Sequence, residues 1–497
     1  MPQNESNLKT VSILFLLGGL GFFIFFAGIP AINTFVMSLQ DYGIIFGMLN
    51  SPWVGFANFS RLSSSGALGR MLGNSLILFV LPTLLAVIIA VPMAGAVGGM
   101  AKGGRRSLAA ALLLLPAFVP DTVLAFLVVS ILPSISLANP GTFRLVMVVL
   151  TAVRTASVCA FVGACAAGLF NDRGKNILHG AVCGVAIGVA VNVVRFLSSN
   201  MELHTMLSNP LVFSTAETFD MFSCQQGLMM MHMSLASASW ALKTVLQMLA
   251  VVFVSLIVFV CIRTGVEGGE SDINPRGDRE GTMTGIVPGI VCGLVFVLCL
   301  IVPLGFAGVV YGGAGAAIFN SVFTTISSAI LFAIPLVMLT LWLCININNK
   351  IAVVLILVML TISNNIVGEF FYFRYFGLTN TRFALILVNT FNITFVLPIA
   401  YLTRIKNPKI TNISSLVRSM LPYFAIFMGL LIANTWGESF PTLIYVMSSD
   451  LWGLPMLLWQ AVTLGGIPLS VGMILWIVVP ILAIASCSVF VYVKSDV

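Results

Sequence analysis

Two arginines, Arg154 and Arg195, stand inside long apolar runs of this chain. A guanidinium at membrane depth is costly to hold, so it usually faces a bundle interior, a water-filled cavity or a partner. Arg154 lies deep in its run and is placed for function. Arg195 lies near the end of its run, from where a long stem can carry the charge back to the interface. Glu369 and Arg374 read as a pair at an outer interface. Met229, Met230, Met231 and Met233 surround His232, a set that could suggest soft-metal binding. One imidazole and flexible thioethers define no coordination geometry, so an apolar interfacial segment is the better reading and no metal site is expected. There is no Walker A loop, no HExxH and no GxSxG. The chain is therefore expected to be no enzyme and to hold no cofactor, with any ATP hydrolysis on a separate subunit.

The elements that must position these groups are membrane helices. Of 497 residues, 59% are hydrophobic and 8% are charged, and the mean hydropathy is +1.10. A transmembrane helix needs ~20 mostly apolar residues, and several blocks exceed that. The net charge of +7 does not point to nucleic acid, because the basic residues gather at the ends of apolar blocks, as topogenic Lys and Arg do. Eight of the nine cysteines fall within apolar blocks, without a CxxC, and read as small packing residues. After Lys9 the apolar run continues to about Leu39, too long for the ~7–15-residue core of a cleaved signal. It reads as a retained first helix.

Residues 263–281, RTGVEGGESDINPRGDREG, concentrate charge, glycine and Pro275 as nowhere else. Such a run buries no apolar surface and reads as a polar hinge. It divides the chain into a membrane half at 1–262 and another at 282–497. The expected spans are 11–36, 72–100, 107–133, 143–170, 177–199 and 236–262, then 285–311, 320–345, 351–373, 382–403, 417–436 and 468–493. The fold class is thus all-α and polytopic, about twelve helices in two parallel six-helix repeats.

Charge sets the orientation. Lys102, Arg105 and Arg106 lie between the second and third spans, and Arg404, Lys406, Lys409 and Arg418 between the tenth and eleventh. Both groups fall on the cytoplasmic side when both termini are cytoplasmic. The 200–235 segment, with Glu202, Glu217 and Asp220 and no Lys or Arg, then faces outward. Gly180, Gly184 and Gly188 put a bare stripe on the fifth helix, which permits close packing and says nothing of a solute. The halves also look like a diverged repeat. Asn74-Ser75 opens one second span and Asn320-Ser321 the other, which places a pathway at the interface of the halves.

Several patches resemble the type I permease subunits of ABC importers for sugars and oligosaccharides. Residues 35–42, FVMSLQDY, and 51–59, SPWVGFANF, resemble the entrance that follows the family's first span. Asn74-Ser75 matches its helix start. Residues 114–120, LLPAFVP, resemble its third helix, and 207–212, LSNPLV, with Gln226-Gly227-Leu228, its outward segment. In the second half, 376–381, FGLTNT, 434–438, NTWGE, and Leu454-Pro455 match partner-permease motifs.

The resemblance implies two permeases fused head to tail in a cell (plasma or inner) membrane. Their helices would pass a carbohydrate or similar polar solute delivered by an extracytoplasmic binding protein, driven by an ATPase subunit on the cytoplasmic side. Carbohydrate sites need aromatic faces and hydrogen-bonding groups, so Asn434, Trp436, Glu438, Asn365 and Arg154 are the pathway candidates. The family couples to its ATPase through an "EAA…G" helix. Here the corresponding joints are 171–176, NDRGKN, and 404–416, with neither carrying Glu-Ala-Ala. Arg173, Lys175, Arg404, Lys406 and Lys409 are what remains to meet an ATPase. The alternative is a permease-derived scaffold or receptor that has lost coupling and anchors extracytoplasmic partners.

Overall fold

The computed structural model describes residues 2–132, 137–266, 285–301, 314–363, 365–388, 390–408, 410, 412–464 and 469–495. Most of the expected hinge, from 267 to 281, and Lys409 lie outside the described residues, while Arg263 closes a helix. Apolar runs become helices because a backbone in lipid must satisfy its own N–H and C=O groups. Among the described residues the one β contact is an isolated antiparallel bridge between Gln40 and Trp53.

The first half supplies α1 (Lys9–Ser38), α2 (Ala67–Gly98), α3 (Gly104–Leu113), α4 (Asp121–Ile131), α5 (Pro140–Asp172), α6 (Ile177–Val193), α7 (Met201–Leu207) and α8 (Met233–Val266). The second supplies α9 (Ile286–Ile301), α10 (Ala314–Asn346), α11 (Lys350–Ile362), α12 (Ile366–Tyr375), α13 (Arg382–Val388) and α14 (Val396–Lys406). It continues with α15 (Ile413–Trp436), α16 (Phe440–Tyr445), α17 (Leu454–Leu464) and α18 (Leu469–Ser495).

Twelve unbroken spans are not what these residues form. Among them, six helices are long and apolar enough to cross a membrane: α1, α2, α5, α8, α10 and α15. A seventh crossing arises if α11 and α12, bent by 72°, count as one. The expected third span breaks because Pro116 and Pro120 supply no N–H, leaving a 3-10 turn at Leu115–Phe118 before α4 begins. The ninth breaks near Ser363, and the tenth stops at Val388 and resumes at Val396.

The halves exchange their first helices. α1 packs on α10, where Gly18 and Gly19 let Met338 and Leu339 approach, and α9 packs on α3, where Gly289 lies against Ala109 and Leu112. Inside the first half the glycine stripe of α6 lies on α5. A Cβ at Gly184 would stand 2.6 Å from Gly163 Cα, and one at Gly188 2.9 Å from Cys159 Cα. Side-chain-free contact of this kind is how helices associate where lipid tails give no hydrophobic drive. Leu81, Leu84, Leu85 and Ile88 of α2, with Val252, Phe253, Leu256 and Ile257 of α8, remain exposed. Such apolar stripes suit lipid rather than water.

Candidate functional site

The break at Pro120 makes Asp121 the first residue of α4 and brings its carboxylate into the protein interior. Arg154, midway along α5, ion-pairs with Asp121 Oδ2 and donates a 2.7 Å hydrogen bond to Asn434 Oδ1 near the end of α15. Beside it the Thr122 hydroxyl donates to the Gly437 carbonyl at 2.7 Å. A Cβ on Gly437 would lie 2.1 Å from that of Pro120, so only glycine admits this approach. Two helices of the first half and the end of one from the second thus meet through charged and amide groups.

Arg195 follows the end of α6 at Val193 and reaches Thr394 of the second half; the chain then turns through Leu197 at φ +64°. Charges from Arg154, Glu438 and Asp121 act on its guanidinium. By accessible surface it is exposed rather than packed in a core. Its one side-chain hydrogen bond among the described residues goes to Thr394 Oγ1 at 3.4 Å.

Next to this group lies a cavity of about 30 Å³, lined by Thr324, Thr325, Thr435, Trp436, Glu438 and Thr442 among others. One water needs ~10–15 Å³ by that measure, so the space admits only small polar groups. Trp436 is 5% exposed, its indole N–H without a protein partner. Of the pathway candidates, Arg154 and Asn434 are bonded to each other, and Trp436 and Glu438 line the cavity. Asn365 does not. It caps α12 by accepting from Gly368 N–H at 3.0 Å and donates to Thr34 Oγ1 at 2.9 Å, tying α12 to α1. Glu369 pairs with the Tyr445 hydroxyl and not with Arg374. His232 Nδ1 faces Gln226 Oε1 at 3.0 Å.

At the end of α5 where the joints lie, the 171–176 turn is short and pinned. Arg106 grips Asp172 through bonds of 2.8 and 2.6 Å, Gly174 turns at φ +68°, and Asn176 caps α6. Arg173 donates to the Gly265 carbonyl at 3.4 Å and to the Ile405 carbonyl of the second half. Burial lowers its pKa, opposed by Asp172. Lys175 lies over the Phe170 ring at 5.4 Å; burial and then Arg173 lower its pKa. In the other joint Arg404 spends its guanidinium on the Asn407 and Pro408 carbonyls, both at 2.8 Å. Lys406 closes α14.

At the opposite end, two Asn-Ser pairs do the same work. Asn74 Nδ2 donates to the Ser214 and Glu217 carbonyls at 2.8 and 3.0 Å, while its Oδ1 accepts from Arg144 at 2.7 Å. Asn320 Nδ2 donates to the Asp450 and Trp452 carbonyls at 2.9 and 3.1 Å, and its Oδ1 accepts from Arg382 at 2.8 Å. Ser75 Oγ accepts from Phe219 N–H and Ser321 Oγ from Leu454 N–H. Arg382 is thus held by Asn320.

Sequence reasoning missed Asp121 and read Glu202 only as one charge of an outward acidic segment. For Asp121 a signal existed, an acid directly after a helix-breaking proline in an apolar block. For Glu202 none did. Its carboxylate, 7% exposed, accepts from Ser439 N–H, Ser439 Oγ and Phe440 N–H. Burial pushes its pKa up to about 7 against these donors, with Glu438 adding to the rise.

No protein-family model matches this chain, and no curated protein does. Two solved structures are similar in part. One is titled "Crystal structure of bacterial alginate ABC transporter in complex with alginate pentasaccharide-bound periplasmic protein". It aligns at 19% identity and a TM-score of 0.40, over 54% of this chain and 99% of its own. The other, "Crystal structure of a bacterial ABC transporter involved in the import of the acidic polysaccharide alginate", gives 20% identity and a TM-score of 0.42, over 51% and 97%.

Proposed function

We propose that the chain is the membrane-spanning permease subunit of an ABC-type importer for a carbohydrate or similar polar solute. Its two parallel permease-like halves, six passes each with both termini cytoplasmic, form the pathway where they meet. The observation that carries this reading is the group of Asp121, Arg154 and Asn434, drawn from both halves. Ionisable groups at such depth mark solute paths far more often than packing. The matching bonds of Asn74 and Asn320 support the repeat. An extracytoplasmic binding protein delivers solute to the segments around 200–235 and 437–468. A partner subunit binds and hydrolyses ATP, in keeping with a sequence that has no Walker A loop.

One observation favours a second reading, a scaffold that has lost ATPase coupling. Arg173 is tied to Gly265 and Ile405 instead of standing out toward a partner. Purification from native membrane with mass spectrometry, then reconstitution in liposomes, separates the two. The importer reading expects a co-purifying ATPase and ATP-driven uptake that Arg154→Gln reduces at least tenfold. An intact complex with extracytoplasmic partners and no ATPase would replace it with the scaffold.

A further inference from the structure

We propose that the first half carries a second ligand site, a recess in its outward segment that binds one neutral saccharide ring. The inference rests on the importer reading above for the side from which the ligand arrives. It adds a place where a sugar is held apart from the group around Arg154.

A cavity of about 310 Å³ is lined by Ser208, Asn209, Phe213, Glu217, Met221 and Gln225 among others. It lies where Asn74 holds the Ser214 and Glu217 carbonyls. The size is at the lower end of the ~300–1,000 Å³ of small-molecule sites. The second half has no such room at the matching place. There Asn320 holds the Asp450 and Trp452 carbonyls, and the space beside them is about 30 Å³.

The walls of the recess are fixed. Asn209 spends both ends of its amide, Oδ1 accepting from Leu211 N–H at 3.0 Å and Nδ2 donating to the Leu137 carbonyl at 3.1 Å. Glu217, 5% exposed, accepts from Arg70 Nε at 2.7 Å through Oε2. Its other carboxylate oxygen has no partner among the described residues. The Ser208 hydroxyl and the Gln225 side-chain amide also bond to nothing among them. Phe213 remains 44% exposed.

This set of groups selects its ligand by charge and by hydrogen bonding. An anion finds no Lys or Arg among the lining residues and meets the Glu217 carboxylate. A cation gains little, because Arg70 already offsets that charge. An apolar molecule would strand the open Glu217 oxygen, the Ser208 hydroxyl and the Gln225 amide, each at a desolvation cost. A neutral polyhydroxyl ring satisfies all three, and its bond to the carboxylate is charge-assisted. Its faintly positive C–H face suits the negative face of an aromatic ring, which Phe213 supplies.

The test uses the full chain in lipid nanodiscs and three probes, the methyl glycosides of D-glucose, D-galactose and D-mannose, titrated by saturation-transfer NMR. At least one is expected to bind, with the C–H protons of one ring face saturated most strongly. Phe213→Ala should weaken it at least tenfold and Gln225→Ala several-fold. Leu211→Ala, exposed beside the recess, should leave it unchanged, as should Arg154→Gln in the proposed pathway. Unfolding midpoints of all variants establish that they are folded. Binding lost in Arg154→Gln and kept in Phe213→Ala overturns the recess and leaves the pathway reading standing. Binding of none of the three probes overturns the recess as well, and ATP-driven uptake then judges the pathway by itself. Glycoside binding that Phe213→Ala spares, while capture of an extracytoplasmic binding protein weakens, makes the cavity a protein dock and ends the saccharide assignment.

Discussion

The Glu202 carboxylate of α7 accepts the backbone N–H of Ser439 at 2.9 Å, and in doing so bridges the two halves of the chain. Phe440 N–H adds a second bond at 2.8 Å. The acceptor sits outside the membrane-spanning helices, at the start of α16, where these donors have no intrahelical partner.

This bridge predicts a pH dependence with a definite sign. Glu202 has its pKa raised from 4.5 to about 7, chiefly by burial. The folded state then binds more protons than the unfolded one between those values, so the contribution is full below about 4.5 and is lost as pH rises through about 7. Nearby His204, also buried, is lowered from 6.5 to about 4, opposed by the Asn200 carbonyl and Asp220. Its contribution runs the other way, present above 6.5 and lost as pH falls through about 4. Each is worth roughly 3 kcal/mol at most, and in the overlap they nearly cancel. Unfolding midpoints in detergent should therefore vary little for these groups in the parent protein between pH 5 and 7. Glu202→Gln should uncover stability that rises with pH, and His204→Gln stability that falls. The same pH profile in both variants would remove the assignment.

The paired Asn-Ser motifs predict paired costs. Asn74→Ala and Asn320→Ala each strand two carbonyls and an arginine, at about 1–3 kcal/mol per variant. Denaturant midpoints should drop to a similar degree in both. A large loss in one and none in the other would mean that the two sites differ in kind.

Much of this arrangement was legible as hydropathy, and the illegible part has a common cause. Blocks such as 143–170 and 417–436 announced α5 and α15, the second continuing as one helix through Pro422. The 107–133 block hid a break, since a window of mean hydropathy counts Pro116 and Pro120 as merely mild residues. What stabilises the broken stretch is tertiary, the Thr122 bond to Gly437 from 315 residues away. Asn365 looked like a solute ligand by type alone, and its partners are a cap and Thr34.

The glycine stripe predicts that size alone matters on α6. Gly184→Ala places a methyl 2.6 Å from Gly163 Cα and 2.7 Å from the Val162 carbonyl. Backbone must move to admit it, at about 1–3 kcal/mol. Gly95→Ala, where a Cβ meets nothing within 4 Å, is the control and should leave the midpoint unchanged or slightly raised. A neutral Gly184→Ala would show that the two helices are not held at this spacing.

The joints predict asymmetric docking of any ATPase. With Arg173 bonded inward and Lys175 over Phe170, the first joint offers little to a partner. Reversing charge at Lys406 and Lys409 together should weaken co-purification of the ATPase much more than reversing Arg173 and Lys175. Equal dependence on both joints would restore the short turn as a coupling element.

That same turn bears on how the protein is made. α6 has 17 residues and at 1.5 Å per residue reaches about 25 Å, short of the ~30 Å hydrocarbon core. Three of those residues are the stripe glycines, whose insertion into lipid alone gains little. α5 is long enough to enter by itself and presents Gly163 and Ala167 as the matching surface. The expected consequence is entry of the pair into the bilayer as a hairpin, with α5 as the template against which α6 is admitted. A lengthened 171–176 turn would separate the two events during synthesis, and the defect would be expected to show as failed insertion.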